Sequence, residues 1–121
     1  VGTAPISNPY VWAEYAKKHP HVRFVFTHIG YYEFGMSTIE AVKDLPNVWV
    51  ETSGQMDVEV LKKAIAVLGS KRVCFGTDWP YKPVNMEISK FYELELTEEQ
   101  RADIFYRNAE KLWKRVREEQ I

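Results

Sequence analysis

The sequence predicts an α/β fold of parallel strands joined by helices, in size about half of an eight-stranded (β/α)8 barrel of the TIM type. Three observations predict it. Helical and extended patterns alternate along the chain. Three strands and four helices in 121 residues match half of a barrel that takes roughly 31 residues per unit. The residues best suited to chemistry fall at strand ends. Strands separated by helices imply parallel pairing through right-handed crossovers. A small doubly wound fold is the competing architecture, and it too would want more strands.

Each element has a local cause. Ser7 or Asn8 can cap a first helix, with Pro9 in its first turn, where a missing N–H is harmless. Val11, Trp12, Tyr15 and Ala16 follow at helical spacing until His19-Pro20 stops the run. Val22 to Thr27 is β-branched and aromatic, a pattern that predicts a buried strand ending at His28-Ile29-Gly30. Ser37 to Leu45 reads as a helix with Ile39 and Val42 on one face, closed by Pro46-Asn47. Val48 to Thr52 is the second strand, followed by Ser53-Gly54. Asp57 can cap a helix that reaches Leu68, with Val60, Leu61, Ala64, Ile65 and Leu68 as its apolar stripe and Gly69 after its end. Val73 to Gly76 is the third strand and runs into Thr77-Asp78-Trp79-Pro80. Thr97 and Gln100 have capping-box spacing and open the last helix, with Ile104, Phe105, Ala109, Leu112 and Val116 apolar. Its charged end, Lys114 to Gln120, reads as a solvated face.

Composition narrows the function classes. Apolar residues make up 45% and charged residues 27%, values of a folded globular domain rather than a disordered chain. Sixteen basic and seventeen acidic residues leave a net charge of −1. That balance offers no basic footprint for nucleic acid or an anionic membrane, so neither is expected as a partner. No apolar run reaches the roughly 20 residues needed to span a bilayer. The single cysteine, Cys74, rules out an internal disulfide framework and fits a reducing compartment such as the cytoplasm. The chain opens on Val1 rather than methionine, and its first residues carry no signal-peptide pattern. The expectation is one domain, residues 1–121, that begins part-way through a longer polypeptide or follows processing.

Two residues carry the functional reading. His28 follows the first strand and Asp78 the third, 50 residues and two strand–helix units apart. In a parallel barrel the loops leaving the strands build the active site, so both would reach one rim. Imidazole and carboxylate suit zinc and similar ions, and a carboxylate beside a metal-bound water can serve as a base. Alone, such a histidine is an ordinary loop residue and such an aspartate before Trp-Pro an ordinary turn former. Their matched positions favour a shared site. His19 and His21 flank Pro20 at the opposite end and read as exposed. Glu51 could reach the site from the second strand, but reads more readily as a solvated or lining residue. Tyr31, Tyr32, Trp79 and Tyr81 could shape a pocket or pack the barrel mouth, and Cys74 reads as a small core residue.

These segments resemble a known family. Lys18-His19-Pro20-His21-Val22-Arg23-Phe24-Val25-Phe26-Thr27-His28-Ile29-Gly30 resembles strand six of the amidohydrolase-related enzymes, the group that includes aminocarboxymuconate-semialdehyde decarboxylase-like proteins. Asn47 to Gly54 is similar to strand seven. Val73-Cys74-Phe75-Gly76-Thr77-Asp78-Trp79-Pro80 resembles strand eight with its G-T-D-x-P ending, and Asn108-Ala109 with Leu112 resembles the closing helix. The likeness covers nearly the whole chain, in the family's order, and marks it as the C-terminal part of the barrel. It implies a metal-dependent hydrolase or decarboxylase of a small organic substrate, using zinc or another divalent metal. It gives Asp78 the part of the metal-binding, proton-handling aspartate. His28 takes the part of the strand-six histidine, a second metal ligand in some members and an acid/base or polarising group in others. In a hydrolase, metal-activated water attacks a carbonyl-type carbon and Asp78 receives the proton; in a decarboxylating member, water or hydroxide adds to the substrate. The family's His-x-His pair of strand one and its strand-five histidine have no counterpart here. The isolated chain is therefore expected to be inactive, and to self-associate or to join the missing half. Two alternatives stand beside this reading. One is a non-catalytic half-barrel that assembles with itself through open strand edges. The other is a related barrel phosphoesterase or deoxyribonuclease, disfavoured by the glycine at position 76 and the lack of basic clusters.

Overall fold

Three short strands lie side by side in one parallel sheet, in the order β1-β2-β3, in a computed structural model that describes residues 7–119. Helix α1 (Pro9–Lys18) starts where its cap predicts: Asn8 accepts the Tyr10 N–H at 3.0 Å, and Pro9 occupies the first turn. Strand β1 covers only Phe24–Phe26, shorter than the expected Val22–Thr27. His28 and Ile29 leave extended space at φ 65° and 39°, and residues Thr27–Gly30 wind into a 3-10 turn. Nor is β1 fully buried. Side chains alternate across a strand, and Val25 points away from the helix-covered face, 45% exposed.

Helix α2 (Tyr31–Val42) begins directly after that turn, at Tyr31 rather than at Ser37. Its start is set by Gly30, left-handed at φ 67°, where a Cβ would lie 2.3 Å from Thr38 Oγ1. Strand β2 (Val48–Glu51) pairs on both sides, with Phe26 and Val73 both opposite Val50. Helix α3 (Val58–Leu68) is capped by Asp57, which accepts the Glu59 N–H at 2.9 Å, and stops at Gly69. Strand β3 is reduced to Val73–Cys74. The ladder's last bond runs from Thr52 N–H to Cys74 O at 3.0 Å, and the Thr52 carbonyl that would continue it is taken by the Lys90 ammonium instead.

The stretch between β3 and the last helix holds elements that the sequence did not reveal. Helix α4 (Val84–Ser89) runs into a 3-10 turn at Lys90–Glu93. Pro80 and Pro83 hide it by breaking the local pattern. Helix α5 (Glu98–Ala102) carries the expected capping box between Thr97 and Gln100. A π turn, Asp103–Arg107, then leads into α6 (Asn108–Glu119). The wider turn rotates the apolar stripe, so Ile104 is buried while Ala109, expected on the same face, is exposed.

The core lies between one sheet face and the helices: Val48, Val50 and Val73 meet Ile39 and Val42 of α2 and Leu61 and Ala64 of α3. Each Val, Ile or Leu among them contributes roughly 1.5–3 kcal/mol when fully removed from water. Polar staples close the opposite end of each strand. Asn47 Nδ2 donates to the carbonyls of Ala16, His19 and Val22 at 2.9–3.1 Å. The Arg72 guanidinium donates to those of Val42, Lys43, Leu45 and Val48 at 2.6–2.9 Å. Asn108 Nδ2 donates to Ser70 O at 2.7 Å and Val73 O at 2.8 Å. Helix ends and strand starts leave carbonyls that must find donors, and these three residues supply them.

Candidate active site at the C-terminal rim of the sheet

Because all three strands run the same way, the chain leaves each of them at one edge of the sheet. His28 stands two residues beyond the end of β1, and Asp78 four residues beyond the end of β3. The expected common rim is therefore present. Among the described residues, only three other than glycine have positive φ: His28 at 65°, Ile29 at 39° and Asp78 at 54°. Aspartate and histidine enter left-handed backbone more readily than most residues, so the strain falls on the β-branched Ile29, the kind of residue found there where the surrounding structure over-determines the geometry. A turn holds Asp78 in place, with Tyr81 N–H donating to Asp78 O at 2.9 Å and Trp79 N–H to Thr77 Oγ1 at 3.3 Å.

Glu51 sits between the two, at the end of the central strand. Its carboxylate accepts the His28 N–H at 3.3 Å, the Ser53 N–H at 2.6 Å and the Ser53 hydroxyl at 2.8 Å. On its other side it presses on Gly76, where a Cβ would lie 1.9 Å from Oε1. Only glycine leaves room for the carboxylate there. The ring of His28 faces Ser53: Nδ1 is 2.8 Å from Ser53 O and 3.0 Å from Ser53 Oγ. Glu51 is thus a hydrogen-bonded hub of the rim, which it reaches from the second strand, rather than a freely solvated side chain.

Below this loop lies a buried ion pair that sequence reasoning missed. Lys90 Nζ is 2.6 Å from Glu87 Oε2, with both side chains almost wholly excluded from water. Lys90 also donates to Thr52 O, and both Glu87 oxygens accept the Gly54 N–H, at 3.1 and 3.2 Å. Burial pushes the Lys90 ammonium below its ordinary range, against the opposing pull of Glu87. The only sequence signal was an acid and a base three apart, visible once residues 84–89 are known to be helical.

Other expected residues fall elsewhere. His19 and His21 are exposed at the far end of the sheet, as expected. Trp79 and Tyr81 are 72% and 85% exposed. The side chains of Tyr31 and Tyr32 lie outside the described set. Cys74 is buried, and burial, then the nearby charge of Glu51, push its thiol up to about 11. Among the described residues no three His, Cys, Asp or Glu side chains gather where they could hold a metal ion. His28 and Asp78 are two donors of suitable type, fewer than the three protein ligands of a catalytic zinc. The described residues therefore do not form a metal centre by themselves.

Parallel strands joined by helices, with a polar rim where the chain leaves them, are what part of a (β/α)8 barrel presents. The chain belongs to the amidohydrolase family: residues 3–115 match the family's profile. It is 37% identical to gamma-resorcylate decarboxylase of Rhodococcus jostii over 68 residues, which are 56% of this chain and 21% of that enzyme. Two solved structures share its fold. Dihydroxybenzoic acid decarboxylase from Polaromonas, with bound manganese and the inhibitor 2-nitroresorcinol, is 21% identical with a TM-score of 0.67, covering 92% of this chain and 46% of that one. An amidohydrolase from Burkholderia multivorans with bound zinc is 18% identical with a TM-score of 0.66, covering 82% and 46%. The matched segment thus spans about a fifth of the curated relative's length, and the chain covers under half of these barrels. Among the described residues no helix is long and apolar enough to cross a membrane.

Proposed function

We propose that the chain forms about half of a metal-dependent decarboxylase that removes carbon dioxide from a small hydroxylated aromatic acid, with His28 and Asp78 as its share of the active site. One observation carries the assignment of residues. Both sit on one rim of a parallel sheet, each at a left-handed turn just beyond a strand end. The class of reaction is supported by the likeness to gamma-resorcylate decarboxylases, and the fold by barrels that hold manganese or zinc.

The roles divide by chemistry. Asp78 handles the proton that must reach the ring carbon as the carboxylate departs. His28 binds or polarises the reacting group. A divalent metal, when bound, supplies electrophilic stabilisation of developing charge, and its remaining ligands come from outside residues 7–119. The cytoplasm fits a protein whose one cysteine is a buried thiol.

The test uses the full-length protein and 2,6-dihydroxybenzoate, with carbon dioxide release as the readout and an ester, amide and phosphoester panel beside it. Asp78→Ala is expected to lower turnover at least about 100-fold, the usual scale for a lost acid/base group. Unchanged turnover in Asp78→Ala removes the assignment. Turnover of the panel alone replaces decarboxylation with hydrolysis.

A further inference from the structure

The loop after β2 is gripped on three sides, and every grip bears on the ring of His28. Ser53 N–H is held by Glu51, the carbonyl of Thr52 by the Lys90 ammonium, and the Gly54 N–H by Glu87. The peptide planes flanking Ser53 cannot turn without breaking a charge-assisted hydrogen bond. Held so, Ser53 presents both its oxygens to His28 Nδ1, the carbonyl at 2.8 Å and the hydroxyl at 3.0 Å.

The proton inventory then decides the ring's state. A carbonyl oxygen only accepts. The Ser53 hydroxyl has one proton, and it points to Glu51 Oε2 at 2.8 Å, a carboxylate with none to return. Neither Ser53 oxygen has a hydrogen to offer, so the hydrogen between them and Nδ1 belongs to the ring. We propose that Glu51 and Ser53 are positioning residues that lock the neutral His28 imidazole as its Nδ1–H tautomer, with the lone pair on Nε2. Glu87 and Lys90 hold the loop that does the locking. Which ring nitrogen can bind a metal or take a proton is set by the hydrogen bond the other makes. The inference rests on the function proposed above only for the use to which Nε2 is put.

The experiment is nitrogen-15 spectroscopy of the full-length protein with labelled histidine and a chelator present, at a pH where the ring is neutral. The His28 signals are assigned by their loss in His28→Gln. The native protein is expected to show Nδ1 bonded to hydrogen and Nε2 bare. Glu51→Ala releases the Ser53 hydroxyl to donate to Nδ1, so the single pattern should give way to a mixture of both tautomers. Adding Ser53→Ala removes that hydroxyl, leaves the carbonyl, and should restore the native pattern. A merely structural part for Glu51 predicts no such rescue. A bare Nδ1 in the native protein overturns the inference. So does an unchanged ring in Glu51→Ala, or a double variant that stays mixed. Should Glu51→Ala fail to fold, the native pattern alone still decides. Turnover takes no part in the readout: an unlocked ring beside an inactive Asp78→Ala sinks this inference alone, and a locked ring beside an active one sinks the function alone.

Discussion

Strain and burial act on single residues at this rim, and they act differently on each. Asp78 and His28 tolerate left-handed backbone because a turn and the Glu51 carboxylate hold them there. Both positions were legible in the sequence, since each closes a strand pattern. Glu51 was visible only as a strand-end acid, because its partners Ser53, His28 and Gly76 come from three different segments. Cys74 gives a pH test at this scale. Its folded thiol ionises at about 11 against an ordinary 9.0, with burial the first cause and Glu51 the second. A group raised on folding stabilises the fold fully below its unfolded value and loses that contribution as pH climbs through the folded one. Relative to Cys74→Ala, native stability should therefore decline between pH 9 and about 11, by up to about 2–3 kcal/mol. Denaturation midpoints across that window check it. At pH 8 the folded thiol should also alkylate on the order of a hundred-fold more slowly than free cysteine.

Among elements, the last helix has the least ordinary task. Its π turn makes Asn108 N–H bond to Asp103 O, while the Ile104 carbonyl accepts the Phe75 N–H at 2.8 Å. Asn108 Nδ2 takes the Val73 carbonyl beside it. Val73 O and Phe75 N lie on the edge of β3 that faces away from β2, so a helix covers part of a strand edge that would otherwise invite pairing. The stacked rings of Phe75 and Phe105, 4.6 Å apart, fasten the same contact. Asn108→Ala should destabilise the fold by about 1–3 kcal/mol, because it strands the buried Val73 carbonyl, while Ser70 O keeps the Val73 N–H. Amide exchange should quicken at Phe75, and an exchange rate there equal to the native one would show that Asn108 does not hold this edge. The start of this helix was readable from its capping box. The π turn was not, because local propensity continues straight through residues 103–107.

At the scale of the molecule, the sheet is covered by helices on one face and is incomplete on the other. Val25, Trp79 and Tyr81 are exposed apolar or aromatic residues on β1 and the loop after β3. Parallel sheets of this kind are normally covered on both faces. We expect the rest of the barrel, or a second copy, to cover this surface. Sedimentation of the 121-residue chain by itself should then show a species heavier than 14.2 kDa. A lone monomer at all concentrations would count against self-association. It would leave the family and fold untouched, because those rest on the matched profile and the parallel topology.

Local spacing was enough to determine the alternation of strands and helices, their parallel order, and the two residues that end the outer strands. Such features depend on neighbours within a few positions, and periodicity records them. The tertiary structure alone decided what surrounds those residues: the Glu51 hub, the buried Glu87–Lys90 pair under the loop, and the helix laid along β3. Each joins side chains separated by 20 or more positions, or is stabilised by a contact of that kind. No local pattern encodes such meetings, because their energy exists only once the chain has folded.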